Sequence, residues 1–297
     1  MSRAEPAAAG LLGLGRMGAP MARRLGAAGH PVTGYDPAPD AAARLAGAAG
    51  VRVAESADEA ARAAEVLILM LPDSAAVEAA LIGSGLLDRL APGTLVIDMG
   101  SSEPARTREL AGRAEAAGVR VLDAPVSGGV AGAEAGTLTV MAGGAPADWA
   151  RAEPLLRVLG ERVLHVGPVG AGHALKALNN LMSATHLLVS SEALLAGIRF
   201  GLDPAVMLDV VNGSSGRSGS TETKWPRHVL GRGFDSGFAL RLMLKDMRIA
   251  TGLAAATGEP ARLGEAAVAL WERAAAELPA DADHTEIVRW LEGRVTT

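Results

Sequence analysis

Between residues 11 and 166 the chain alternates short apolar runs with alanine-rich stretches of helical character. Leu11-Leu12, Pro31–Asp36, Val66–Leu71, Leu95–Met99, Val119–Ala124, Thr137–Ala142 and 162–166 read as strands. Arg16–Ala28 and a segment near Ser74–Leu81 read as helices between them. Strands separated by helices cannot be joined by hairpins, so the alternation predicts a mostly parallel, doubly wound sheet with helices on both faces.

The pattern changes after Gly167-Pro168. From Gly172 to Phe200 the chain is apolar and free of proline, which predicts one long helix, with Leu175, Leu178, Met182, Thr185 and Val189 at helical spacing. Further helices are expected over Pro204–Val211, Leu240–Thr257, Arg262–Ala276 and His284–Gly293, and no strand. The expected organisation is a Rossmann-type α/β domain over residues 1–167 and an all-α domain over 168–297, with the long helix as the spine between them. The stretch Gly213–Pro226, rich in Gly, Ser and Thr, reads as a loop.

Composition narrows the function. The formal net charge is -5 and no block of Lys or Arg occurs, so nothing marks a nucleic-acid surface. There is no cysteine, which excludes disulfides, thiolate metal sites and cysteine nucleophiles. No histidine spacing suggests a metal. Met1–Gly10 is too short for a secretory leader, and uninterrupted apolar runs fall far below the roughly 18 residues of a membrane span, so a cytoplasmic protein is expected. Of the 28 basic residues only Lys176, Lys224 and Lys245 are lysine. Arginine cannot release its proton at working pH and lysine can, so those three positions invite chemistry.

Gly13-Leu14-Gly15-Arg16-Met17-Gly18 has the spacing G-x-G-x-x-G. In a chain with 37 glycines that is weak by itself, but here it follows a strand and opens a helix. Gly13 permits a tight turn, Gly15 a close approach of a pyrophosphate, and Gly18 close packing of helix on strand; the helix N-terminus offers free N–H groups. Asp36 ends the second strand, 23 residues after Gly13, where a carboxylate receives the adenosine ribose hydroxyls and repels an added phosphate. NAD is therefore expected over NADP. Arg44 is the nearest basic residue able to oppose that reading, and another nucleoside cofactor is the alternative to a dinucleotide.

These residues resemble a known family. GLGRMGAPMARRLGAAGHPVTGYD looks like the opening of the β-hydroxyacid dehydrogenases, the 3-hydroxyisobutyrate dehydrogenase family. LDAPVSGGVAGAEAGTLTVMAGG from Leu122, GAGHALKALNN from Gly170 and LMLKDMRIA from Leu242 resemble its substrate-binding, catalytic-helix and second-lysine blocks, in order. The resemblance implies that Lys176 is the catalytic lysine and that Asn180, one turn on, helps hold the substrate, with Asn179 ranked behind it. It implies that Ser127, Gly128 and Gly129 bind the substrate carboxylate, that Lys245 lies near the cofactor with Asp246 beside it, that Leu71 and Pro72 run along the adenosine and ribose, and that Ser101 sits near the nicotinamide. Two positions depart from the family pattern: Ala76 stands where Asn is common and Gly100 where Ser is common.

Oxidising an alcohol sends a hydride to the nicotinamide and a proton to a base; an ammonium beside the carbinol oxygen stabilises the charge there, and Lys176 also relays the proton if burial and Lys245 lower its pKa. The expected activity is NAD-dependent interconversion of a small 3-hydroxyacid and its semialdehyde, in a homodimer or homotetramer, with no nucleic-acid or membrane partner. Alternatives are an NADPH-dependent reductase of small carboxylate aldehydes, separated by Asp36; an imine reductase, which carries Asp or Tyr where this chain has Lys176; and a non-catalytic NAD sensor, disfavoured by Lys176, Asn180 and Lys245 together. Lys224 and Arg217 are candidates for a second anionic group of the substrate, although a solvated loop is the plainer reading for Lys224. His165 and His173 read as ordinary polar contacts.

Overall fold

The computed structural model describes residues 7–62 and 64–293. The chain divides into two compact units, one through Lys176 and one from Ala177.

The first unit contains β1 (Ala9–Leu12), α1 (Gly18–Ala27), β2 (Val32–Tyr35), α2 (Ala41–Arg44), β3 (Val51–Val53), α3 (Ala57–Ala61), β4 (Val66–Leu69), α4 (Ser74–Glu78), β5 (Leu95–Asp98), α5 (Pro104–Ala116) and β6 (Arg120–Asp123). These six strands are parallel in the order β3-β2-β1-β4-β5-β6, so the winding reverses between β1 and β4. Then come β7 (Val126–Ser127), α6 (Gly129–Ala135), β8 (Leu138–Gly143), α7 (Pro146–Leu159) and β9 (Gly160–Gly167). β8 runs antiparallel to β6 and β7 and parallel to β9. Alternate strand residues feed two cores, as a period of two requires. Leu11, Ile68 and Ile97 meet Met21 and Leu25 of α1 on one face. Leu12, Leu67, Leu69 and Val96 meet Val77, Leu110 and Ala114 on the other.

α8 (Ala171–Phe200) is a single helix of 30 residues. The first unit extends along it to Lys176 because a carboxylate at the end of β6 caps its start. Asp123 accepts the amides of Gly170 (2.6 Å) and His173 (2.8 Å).

In the second unit, the rest of α8 is joined by α9 (Pro204–Asn212), a π-helix over Ser220–Val229, α10 (Leu240–Thr257), α11 (Arg262–Glu277), a short 3-10 turn (His284–Glu286) and α12 (Ile287–Glu292). No strand occurs among its described residues. The expected loop over Gly213–Pro226 is corrected in its second half. The π-helix starts where Ser218 and Thr221 exchange hydrogen bonds, and its wider turn accommodates Pro226. Leu187, Leu188, Leu194, Trp225, Met243, Met247, Trp271 and Ile287 build the core. On α8 the buried side is Asn180, Ala184, Leu187, Leu188, Ser191, Leu194 and Leu195. The periodic apolar positions Leu178, Met182 and Val189 face outward instead. The helix is apolar on both sides, and by length and composition alone it would suffice to cross a membrane.

Candidate active site

The glycine turn follows β1 directly. Gly13 has φ +96, and a Cβ there would strike the Met70 carbonyl; one on Gly18 would strike the Gly13 carbonyl. A Cβ on Gly15 would meet nothing within 4 Å. Two of the glycines thus satisfy the fold and the third leaves an open backbone face. Leu14, Arg16 and Met17 complete the turn, with Arg16 exposed. Asp36 leaves the C-terminal end of β2 beside it. Its carboxylate accepts the Leu14 amide (2.7 Å) and the Ala38 amide (2.8 Å). Arg44 donates to the Leu14 carbonyl (3.2 Å) and is paired with Asp40.

Leu71-Pro72 follow β4, and Gly100-Ser101 follow β5. Because β1, β2, β4 and β5 are parallel, the turn, Asp36, Leu71-Pro72 and Ser101 all lie at one edge, across the β1/β4 reversal where doubly wound sheets take their ligands. Glycine at position 100 has a steric reason, since a Cβ there would collide with the Leu71 carbonyl. This open glycine face with a carboxylate at its side fits an adenine dinucleotide: Gly13–Gly18 would carry the pyrophosphate and Asp36 the ribose. Ser127 ends β7, and Gly128 (φ +133) and Gly129 (φ +62) turn the chain into α6 with their backbone exposed.

Lys176 is 9% exposed, in the second turn of α8. The first turn is held by groups that motif reading passed over. The His173 ring is buried, with Nδ1 2.8 Å from the Thr107 hydroxyl and Nε2 3.6 Å from Asp98. His173 is thus a buried polar contact at the start of α8. Asp98 also accepts from the Ser102 hydroxyl (2.7 Å) and the Gly100 amide (2.9 Å). Burial pushes the Asp123 carboxyl up from the usual range, against the pull of His173 and the Gly170 and His173 amides. The available signal was an aspartate closing each of two adjacent strands.

In the second unit Asn180 is buried, and its Nδ2 donates to Asp246 Oδ2 (2.6 Å). Lys245 Nζ lies 3.2 Å from Asp246 Oδ1. Asp246 is thus the hub that joins Asn180 and Lys245. A carboxylate accepts and does not donate, so it fixes which end of the Asn180 amide faces it. Asn179 is exposed and donates to Asn180 Oδ1 (3.3 Å). Arg217 is exposed and 3.8 Å from Glu222. Lys224 is not in a solvated loop. It is half-buried on the π-helix, with Nζ 2.8 Å from Ser183 Oγ. His165 binds the Gly144 carbonyl (2.9 Å) and stacks on Trp149.

Comparison with known proteins identifies the chain's relatives. Residues 8–167 match the NAD-binding domain of 6-phosphogluconate dehydrogenase, and residues 170–291 match the NAD-binding domain of NADP-dependent 3-hydroxyisobutyrate dehydrogenase. The chain is 37% identical to human mitochondrial 3-hydroxyisobutyrate dehydrogenase over 95% of its length and 86% of that protein's. It is 39% identical to a probable 3-hydroxyisobutyrate dehydrogenase of Mycobacterium bovis, over 95% and 97%. The solved structure of the Mycobacterium tuberculosis 3-hydroxyisobutyrate dehydrogenase with L-serine superposes with a TM-score of 0.89, at 37% identity over 96% of this chain and 99% of that one. An imine reductase of Myxococcus stipitatus, 19% identical, shares the fold. With both domains matched along nearly the whole length, the chain belongs to the 3-hydroxyisobutyrate dehydrogenase family of nicotinamide-dependent oxidoreductases.

Proposed function

We propose that this protein interconverts a small 3-hydroxyacid and its semialdehyde with NAD, and that Lys176 is the catalytic lysine. One observation carries the residue assignment: Lys176 is buried and stands one turn before Asn180 on one helix, and Asp246 fixes the Asn180 amide beside Lys245. When bound, the nicotinamide supplies the hydride acceptor or donor. Lys176, as the neutral amine, accepts the carbinol O–H proton; the ammonium so formed stabilises the negative oxygen while the hydride leaves the carbon, and the proton passes on to solvent. Asn180 hydrogen-bonds the substrate and orients it. Ser127, Gly128 and Gly129 receive the carboxylate through a hydroxyl and backbone N–H groups. In this reading residues 1–167 hold the dinucleotide and the substrate carboxylate, and 168–297 supply Lys176 and Asn180 and pair subunits.

Asp36 supports NAD. Its charge stands at the ribose end of the turn, and the neighbouring Arg44 is occupied by Asp40 and the Leu14 carbonyl. The test is kcat/KM by nicotinamide absorbance on 3-hydroxyisobutyrate, 3-hydroxypropionate and L-serine, each with NAD and NADP. Turnover of at least one acid, with higher efficiency on NAD, is expected. Higher efficiency on NADP overturns the Asp36 reading, and no turnover of any acid or its aldehyde with either cofactor overturns the activity.

A further inference from the structure

Lys224 is an ammonium without a counter-charge in contact. Among the described residues it hydrogen-bonds only Ser183, through Oγ at 2.8 Å and the carbonyl at 3.4 Å, and it forms no ion pair within 4.0 Å. Two neutral acceptors leave one of its three N–H donors over. The carboxylate that faces it, Asp283, is committed elsewhere. It accepts from the Ser236 hydroxyl (2.8 Å), the Gly237 amide (2.8 Å), and the Thr285 amide (2.9 Å) and hydroxyl (2.6 Å). Burial draws the Lys224 ammonium down to about 8, opposed by the charge of Asp283. Partial burial of a charge without a paired opposite charge is costly, and an incoming anion relieves that cost.

The location gives this ammonium a use. Ser183 lies three residues after Asn180 on α8, so the two side chains are neighbours on the helix surface, about 5–6 Å apart at Cβ. A ligand held by Asn180 therefore has the Lys224 ammonium within reach of its far end. The chain uses arginine at 25 of its 28 basic positions and keeps lysine here. A compact ammonium suits a single carboxylate or sulfonate oxygen in a tight site better than a planar fork.

We propose that Lys224, held by Ser183 beside Asn180, recognises a second anionic group on the substrate. The preferred substrates are then small hydroxyacids or semialdehydes that carry an additional carboxylate or sulfonate. The inference rests on the reading that Asn180 holds the substrate.

The test compares 3-hydroxyisobutyrate with 2-(hydroxymethyl)succinate, the same molecule with a carboxylate on its methyl, in wild type, Lys224→Met and Lys224→Gln. The glutamine variant keeps a donor for Ser183. In wild type the kcat/KM ratio, dianion over monoanion, is expected to favour the dianion. A charged hydrogen bond contributes about 10- to 100-fold, so both variants should lower that ratio by such a factor. A wild-type preference for the monoanion, or an unchanged ratio in the variants, overturns the proposal. Calorimetry of the unreactive pair isobutyrate and methylsuccinate on the NAD-loaded protein gives a reading independent of turnover. If neither hydroxyacid reacts, the proposed activity fails, yet tighter methylsuccinate binding that Lys224→Gln abolishes still supports the anion site. Equal binding of the two acids overturns it.

Discussion

At the scale of single residues, the proposed chemistry turns on what Lys176 has and arginine lacks. A buried ammonium at the head of a rigid helix is a preorganised positive charge that requires no reorganisation as the oxygen becomes anionic. Lys176→Ala should lower kcat at least about 100-fold, or roughly 2.7 kcal/mol, by analogy with the loss of one preorganised donor. NAD affinity should stay near wild type, because the dinucleotide is assigned to the Gly13–Gly18 turn and Asp36. Lys176→Arg should also fail, since a guanidinium keeps its proton and spreads its charge over a plane. Turnover and NAD titration of both variants check this. Near-normal kcat in Lys176→Arg would remove the proton-relay role, and near-normal kcat in Lys176→Ala would remove the lysine from the site.

At the scale of elements, aspartates from loops and strand ends fix several helix starts: Asp73 for α4, Asp203 for α9, Asp123 for α8 and Asp283 for the turn into α12. The last of these carries a pH dependence. The His284 ring is buried, its Nδ1 shared by the Ser236 hydroxyl (2.9 Å) and the Phe238 carbonyl (3.2 Å). Burial, helped by the positive charges of Lys224 and His228 and opposed by Asp283, holds it down at about 4. A folded-state value below the ordinary 6.5 means that the unfolded chain takes up a proton first as pH falls. Stability is therefore lost between about pH 6.5 and 4, by at most on the order of 3 kcal/mol from this ring. Asp283, held below the usual carboxylate range, adds a further loss only in stronger acid. Denaturant unfolding read by tryptophan emission should show His284→Asn flattening the slope across that window; a slope equal to wild type would exclude the ring as its source.

The same scale shows what the sequence made legible. Strands buried on both faces, such as Val66–Leu69 and Leu95–Asp98, read out as apolar runs, and Leu240–Thr257 matched its predicted span. Val51–Val53 did not, because it is three residues long, lies at the sheet edge and has Arg52 at its centre. Val126–Ser127 is shorter still. The π-helix was hidden because Gly, Ser and Pro signal a break to any rule built on the α-helical period, whereas its stability comes from Trp225 and Val229 in the core. In the site, the glycine turn is local and so readable from its spacing. The Asn180–Asp246 bond spans 66 positions and Asp123–His173 spans 50, distances at which spacing carries no signal.

At the scale of the whole molecule, the second unit exposes several large apolar side chains. On α8, Met182 is 59% exposed, Val189 57% and Phe200 85%, and Leu202, Val206 and Val210 continue the exposed set onto α9. Met182, Val189 and Phe200 recur at helical spacing along one side of α8, as do Val206 and Val210 on α9, so they are a stripe rather than scattered singles, and exposed apolar surface of that kind marks an interaction surface. Closed symmetry is the rule for soluble homo-oligomers, and one self-complementary patch is enough for a dimer. A dimer or tetramer is therefore expected by light scattering at micromolar concentration. Introducing charge on the face, as in Met182→Glu with Val189→Glu, should shift the population to monomer and leave the helical content unchanged. Wild type that scatters as a monomer would refute the assembly, and a double variant that stays oligomeric would move the interface off this face.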